Sequence, residues 1–253
     1  MEHWEIFLLF LIIAFIYSSV GFGGGSSYLA LLAMYSLPFQ EMKLTALICN
    51  IIVVTGGVYI YAESQLLNWK KIIPLVILSV PMAYFGAILK LSQTTFFILL
   101  GCSLIIAAIL LWIKNDSSNT EKIKESENES FLKNTSIGGS IGFLSGMVGI
   151  GGGIFLSPFL NLMKWDTPKK IAATASLFIL VNSISGIVGQ LTTLPQNINF
   201  TRVALLCLAV FIGGQLGSRI SVNWNPILIR RITAVLVLFA GTNVLIKYIP
   251  HLF

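Results

Sequence analysis

The residues that could do chemistry in this chain are few, uncharged and clustered around two glycine runs. Gly21-Phe22-Gly23-Gly24-Gly25 returns as Gly149-Ile150-Gly151-Gly152-Gly153, half a chain later. Each run interrupts an apolar segment, Trp4 to Tyr35 in the first case and about Thr135 to Met163 in the second. Three adjacent glycines inside a helix cost roughly 1 kcal/mol each relative to alanine, so matched runs point to a required break in the backbone. After each break a short helix is expected to begin, near Ser26 and near Ile154. Its first amides have no partner within the helix, and its dipole places about half a positive charge there. Glycine also lets a ligand come close to the backbone. The chemistry that follows is the capture of a small anion without a lysine in the membrane. The candidate binding residues are Gly23, Gly24, Gly25 and Ser26 at the first break, with Gly151, Gly152, Gly153 and Ile154 at the second. Thr45, Asn50, Thr174, Ser176 and Asn182, on the spans that follow the breaks, could donate to anion oxygens. The competing roles are close helix packing for the glycines and interhelical hydrogen bonding for the hydroxyls and amides.

The elements that must position these residues are membrane helices. Charged residues are 10% of the 253 and hydrophobic ones 56%, and the mean hydropathy is +0.87. A soluble domain of this length could bury a core but could not solvate such a surface. The apolar runs reach the roughly 20 residues needed to cross hydrocarbon. The expected spans are Leu44 to Ala62, Trp69 to Leu89 with Pro81 as a kink, and Phe96 to Ile113. In the second half they are Thr174 to Gln190, Val203 to Ile220 and Ile227 to Ile246. The formal charge of +6 does not indicate nucleic acid, because the basic residues stand singly or in pairs at segment ends. Cys49, Cys102 and Cys207 have neither paired spacing nor a nearby histidine, so no metal site or disulfide is expected, and nothing calls for a cofactor. His3 and His251 lie at the chain ends, and no buried acid stands beside a candidate serine, which argues against an enzyme.

Residues 115–134 form the one strongly polar stretch and read as a linker between a first repeat, 1–114, and a second, 135–253. Sliding the halves over each other pairs Gly23 with Gly151, Thr45 with Thr174, Gly57 with Gly186, Gly86 with Gly217 and Lys114 with Lys247. The offsets are 128, 129, 129, 131 and 133, which implies two homologous halves. If all eight apolar segments cross, the sixteen basic residues split evenly and specify no orientation. If each glycine segment enters and returns on one side, Lys43, Lys90, Arg202 and Lys247 face the other twelve. That bias places both termini outside and the linker in the cytoplasm, and makes the repeats inverted. The lengths agree, since sixteen and ten residues rise about 24 and 15 Å, each near half the thickness of the hydrocarbon core. The fold class is therefore an all-α polytopic membrane protein with two four-segment repeats. Re-entrant half-helices are preferred over eight simple spans. No Asp or Glu lies well inside a predicted span, so a buried carboxylate proton relay is not supported.

The two glycine runs, the Thr45-to-Gly57 span, Ile154-to-Pro158 and Ala172-Ala173-Thr174-Ala175-Ser176-Leu177 together resemble the TauE/SafE family of membrane permeases. The resemblance covers nearly the whole chain. It implies a multi-pass protein of the plasma membrane that exports small sulfur-containing anions such as sulfite, sulfoacetate or related sulfonates. Two features depart from symmetry. Ala30 stands where the second half has Pro158, and Thr45-Ala46-Leu47 stands where it has Thr174-Ala175-Ser176-Leu177. The expected partners are a small anionic substrate and the lipid bilayer. An anion channel, or a structural membrane subunit without transport activity, are the alternatives.

Overall fold

The computed structural model describes residues 4–35, 37–89, 91–113, 131–191, 198–220 and 226–249. Among them there are ten α-helices and no strand. The first half holds α1 (Trp4–Ser18), α2 (Gly25–Met34), α3 (Phe39–Glu63), α4 (Trp69–Ile88) and α5 (Gln93–Ile113). The second holds α6 (Phe131–Val148), α7 (Gly153–Leu162), α8 (Pro168–Gln190), α9 (Phe200–Ile220) and α10 (Pro226–Tyr248). Six of these, α3, α4, α5, α8, α9 and α10, are long and apolar enough to cross a membrane. The chain is a multi-pass membrane protein.

The sequence accounts for where the elements begin and end. α1 stops at Ser18, just short of the first glycine, and α2 and α7 restart directly after Gly24 and Gly152, both left-handed at φ 82° and 80°. Pro38 precedes α3 and Pro168 opens α8, positions where a missing amide leaves no bond unmade. Thr167 caps α8 by accepting from the Lys170 amide. Trp4, Trp69 and Trp112 sit exposed near helix ends, as rings at a lipid–water boundary do. The outward faces carry residues such as Ile77, Phe85, Phe211 and Phe239, which suit a hydrocarbon solvent.

Several helices begin earlier than the sequence reading, α8 at Pro168 in place of Thr174 and α5 and α9 each three residues early, and two of the differences bear on the site and the linker. α3 begins at Phe39, five residues before the expected Leu44, so Glu41 and Lys43 are helical and buried instead of lying in a loop. α6 begins at Phe131, which makes 131–134 helical, and Asn134 accepts a hydrogen bond from Trp165 Nε1 at 3.3 Å. The rest of the polar stretch, 115–130, lies outside the described residues.

The helices of the two halves interleave. α4 packs along α6 and α1 along α9; α3 crosses α8, and α5 lies on α10. α4 also touches α8 as α3 touches α9, and α2 meets α10 as α7 meets α5. Exchanging α1–α5 with α6–α10 leaves these pairings unchanged. Gly138, Gly142 and Gly146 line one face of α6, and a methyl on any of them would overlap the α4 backbone at Leu75, Ser79 or Ala83. Gly213 and Gly217 of α9 meet the backbone of α1 at Leu11 and Phe15 in the same manner. Small residues at such spacing let helices approach closely where lipid provides no hydrophobic drive for association. The spacing by fours on α6 is visible in the sequence but falls outside the two glycine runs, which hold the more unusual pattern.

Two ion pairs tie one half to the other at helix starts. Arg202 at the start of α9 lies 3.5 Å from Glu41 of α3, and Lys71 at the start of α4 lies 3.3 Å from Asp166 before α8. Lys247 of α10 donates to the Ala33 carbonyl at 2.6 Å, near the end of α2, where a cation also suits the helix dipole.

Candidate functional site

The two glycine runs come together around a pair of side chains from α3 and α8. A methyl added to Gly23 or Gly25 would overlap the Asn50 amide, and one on Gly151 would lie 3.2 Å from Asn50 Nδ2. From the opposite side Ile179 of α8 lies against Gly153, Gly151 and Gly23, the latter two at 2.7 and 3.2 Å from such a methyl. Asn50 and Ile179 thus stand between the breaks, each touching both. Only backbone without side chains lets helices from both halves approach this closely.

The backbone at the breaks is poised to donate. Neither α2 nor α7 has a side-chain cap, so their first amides are left for another acceptor. Gly21, Gly24, Gly149, Gly151 and Gly152 have positive φ, a region closed to most other residues. The resulting loops are short and buried, with Phe22 and Ile150 turned into the apolar core.

The side chains nearby hold polar atoms that nothing among the described residues satisfies. Asn50 is 0% exposed, yet neither its Oδ1 nor its Nδ2 has a hydrogen-bond partner. Ser183 Oγ lies 2.8 Å from the place of a Gly151 methyl and is also unpaired. Ser145 Oγ, beside Gly152, and the Tyr28 hydroxyl, beside Gly24, are in the same state. A buried polar atom without a partner costs about 1–3 kcal/mol, and such groups concentrate where a function requires them. Here the Asn50 amide and the Ser183 hydroxyl meet at Gly151, between the two uncapped helix starts, with Tyr28 and Ser145 beside the left-handed Gly24 and Gly152. The arrangement offers several hydrogen-bond donors and two positive helix ends without a formal charge.

The sequence candidates take different places. Gly23, Gly25 and Gly151 meet Asn50 directly, Gly153 meets Ile179, and Gly24 and Gly152 supply left-handed turns beside them. Ser26 and Ile154 are buried at the starts of α2 and α7. Ser176 has a bracing part instead, donating to the Gly21 carbonyl at 2.8 Å and to the Ala172 carbonyl at 3.0 Å. Thr174 bonds back to the Lys170 carbonyl of its own helix at 2.8 Å, and Asn182 to the Phe178 carbonyl at 2.9 Å, leaving Asn182 Oδ1 unpaired. Thr45 is buried in α3, five residues before Asn50. Ser183 and Ile179 join the site without having been candidates from sequence. A serine next to Asn182 carries no distinguishing pattern, and an isoleucine in an apolar helix reads as core.

Comparison with known proteins adds an independent line. A family model described as "Sulfite exporter TauE/SafE" matches residues 6–244. A probable membrane transporter protein of Sinorhizobium fredii is 29% identical over 241 residues, covering 94% of this chain and 96% of that protein. Another from Methanocaldococcus jannaschii is 28% identical over 182 residues, 67% of this chain and 66% of the relative. A third, from Bacillus subtilis, is 24% identical over 247 residues, 87% and 90% of the two chains. No solved structure matches the chain.

Proposed function

The chain belongs to the TauE/SafE family of membrane transporters, and from that premise we propose that it exports small sulfur-containing oxyanions, sulfite or sulfonates, across the plasma membrane. The observation that carries this reading is Asn50. An amide 0% exposed, with both polar atoms unpaired, stands between two uncapped helix starts. An oxyanion bound there takes hydrogen bonds from Asn50 Nδ2, Ser183 Oγ and the uncapped amides at Gly25 and Gly153, and faces both positive helix ends. Donors held rigidly in a dry site repay the desolvation of a small anion. The family description names sulfite, which fits such a set of donors.

The proposed architecture is two inverted repeats, each a re-entrant hairpin (α1–α2, α6–α7) followed by three crossings. Six spans of crossing length, the short α1, α2 and α7, and helix pairings unchanged by exchange of the halves support it. Transport then proceeds by exposing the Asn50 centre to one side and then the other, with the 115–134 stretch in the cytoplasm. Complete burial of Asn50 supports a carrier over an open channel, since a continuous pore would wet that amide.

The test is flux from proteoliposomes loaded with sulfite, sulfoacetate, thiosulfate or chloride, with and without a pH gradient. Saturable release of a sulfur oxyanion, lost in Asn50→Leu from a sample that folds, is the expected result. Fast unsaturable release of every anion would make the protein a channel. No release of any anion from well-folded protein would sink the proposal.

A further inference from the structure

Lys43 is a cation inside the protein with no carboxylate to match it among the described residues. It is one turn into α3 and 7% exposed. Its ammonium sits 5.6 Å from the centre of the Phe39 ring and 5.1 Å from that of Phe96. Of the described ion pairs none includes it, and Glu41, two residues earlier, is engaged with Arg202. Two aromatic faces are weak partners for a charge removed from water. Something else is needed to make that burial tolerable.

The stem of the lysine passes along the second break. Its Cε lies 3.5 Å and its Cγ 3.9 Å from where a methyl on Gly149 would stand, with Gln190 Nε2 also at 3.9 Å. Seven residues along α3 from Lys43 is Asn50, two turns away on the same face. Gly149 therefore lies against Lys43, and Gly151 against Asn50. The break runs beside one face of α3 from the lysine stem to the Asn50 amide. At the matching place of the other half the partner is Ala172, whose Cβ lies 2.9 Å from the place of a Gly21 methyl and leaves no such room.

We propose that Lys43 is an oxyanion-binding residue, forming with the backbone near Gly149 a charged station that leads to the Asn50 centre and selects for anions. This rests on the reading of the protein as an oxyanion transporter. The ammonium supplies a full positive charge, while the amides and Asn50 supply directed donors. An anionic lipid headgroup would satisfy the same chemistry, so the test is made in phosphatidylcholine nanodiscs free of anionic lipid.

The experiment titrates sulfite and sulfoacetate into the full-length wild type, Lys43→Met, Lys43→Gln and Lys43→Arg, by calorimetry, with thermal midpoints taken without anion. Methionine replaces the stem at similar volume and removes only the charge, and arginine keeps it. Loss of one charge-assisted contact should weaken binding by about tenfold to a hundredfold in the Met and Gln variants. The ligand-free midpoint should not fall, and Lys43→Arg should keep most of the affinity. A purely structural lysine would lower the midpoint and leave affinity alone. Unchanged affinity in Lys43→Met and Lys43→Gln would overturn the role of Lys43 and leave the transport reading standing. A wild type that binds neither anion would overturn both.

Discussion

The two glycine breaks differ in one residue of five, Phe22 against Ile150, and yet the protein holds them differently. The first is clamped. Ala172 presses on Gly21, and the Ser176 hydroxyl ties down the Gly21 carbonyl at 2.8 Å. The second is faced by Lys43 and Gln190 at ordinary contact distance, and it uses three left-handed glycines where the first uses two. In the middle, Asn50 of the first half stands opposite Ile179 of the second. Near-identical local sequence thus gives two similar loops, and the helices laid across them pack tightly on the first at Gly21 and leave ordinary contacts on the second at Gly149. Chemistry here is assigned by tertiary neighbours and not by the motif.

The largest expected effect comes from removing the polar member of the central pair. Asn50→Leu should reduce oxyanion flux on the order of a hundredfold, since a hydrogen bond to a charged ligand is lost. The thermal midpoint should hold or rise, because two unpaired buried atoms disappear with the amide. The exchange Asn50→Ile with Ile179→Asn moves the amide to the other half. If the breaks were interchangeable, flux would return; continued loss, measured in the same liposomes, would show that the neighbours matter.

Backbone geometry gives the next contrast. Gly151→Ala adds the cost of positive φ to close contacts with Ile179 and Ser183, whereas Gly23→Ala, which is not at positive φ, displaces the Asn50 amide and touches Ile179. Gly151→Ala should be the more destabilising by about 1–2 kcal/mol, the left-handed penalty alone. Denaturation curves of both variants in one detergent decide it. Gly23→Ala should instead show its damage in flux.

Smaller still is Ser176→Ala, which removes the brace on Gly21 and should lower stability by about 1 kcal/mol. Amide exchange should speed up at residues 21–25 and stay unchanged at 149–153. Smallest is Thr174→Val. Its hydroxyl bonds within its own helix, so flux should be unchanged and stability should fall by no more than about 1 kcal/mol. A large loss of flux would return Thr174 to the site.

The fold class is legible in the sequence, because hydropathy and low charge leave a membrane as the only solvent for these faces. The breaks are equally legible, since an apolar segment that must stay helical throughout does not accept three glycines in a row. Asn50 is reachable as a polar residue in a span near a break. Lys43 is not, because a lysine five residues after Pro38 reads as loop charge. Its burial depends on α3 starting at Phe39 and on two rings folding over it. Ile179 and Ala172 are invisible for a different reason. Their importance is a matter of what they face, and apolar residues on apolar helices advertise nothing.

The glycine seams between α6 and α4, and between α9 and α1, bear on how the molecule moves and how it is assembled. Helices keyed backbone to backbone slide or separate only by losing that contact entirely, so α6 travels with α4 and α9 with α1. The rigid bodies are therefore mixed in origin, each drawing helices from both ends of the polypeptide. A cut within 115–130 would leave a C-terminal fragment with the glycine faces of α6 and α9 uncovered, and an N-terminal fragment whose α4 and α1 have lost the helices packed on them. They should be recovered together as a non-covalent pair when co-expressed and be degraded when expressed singly.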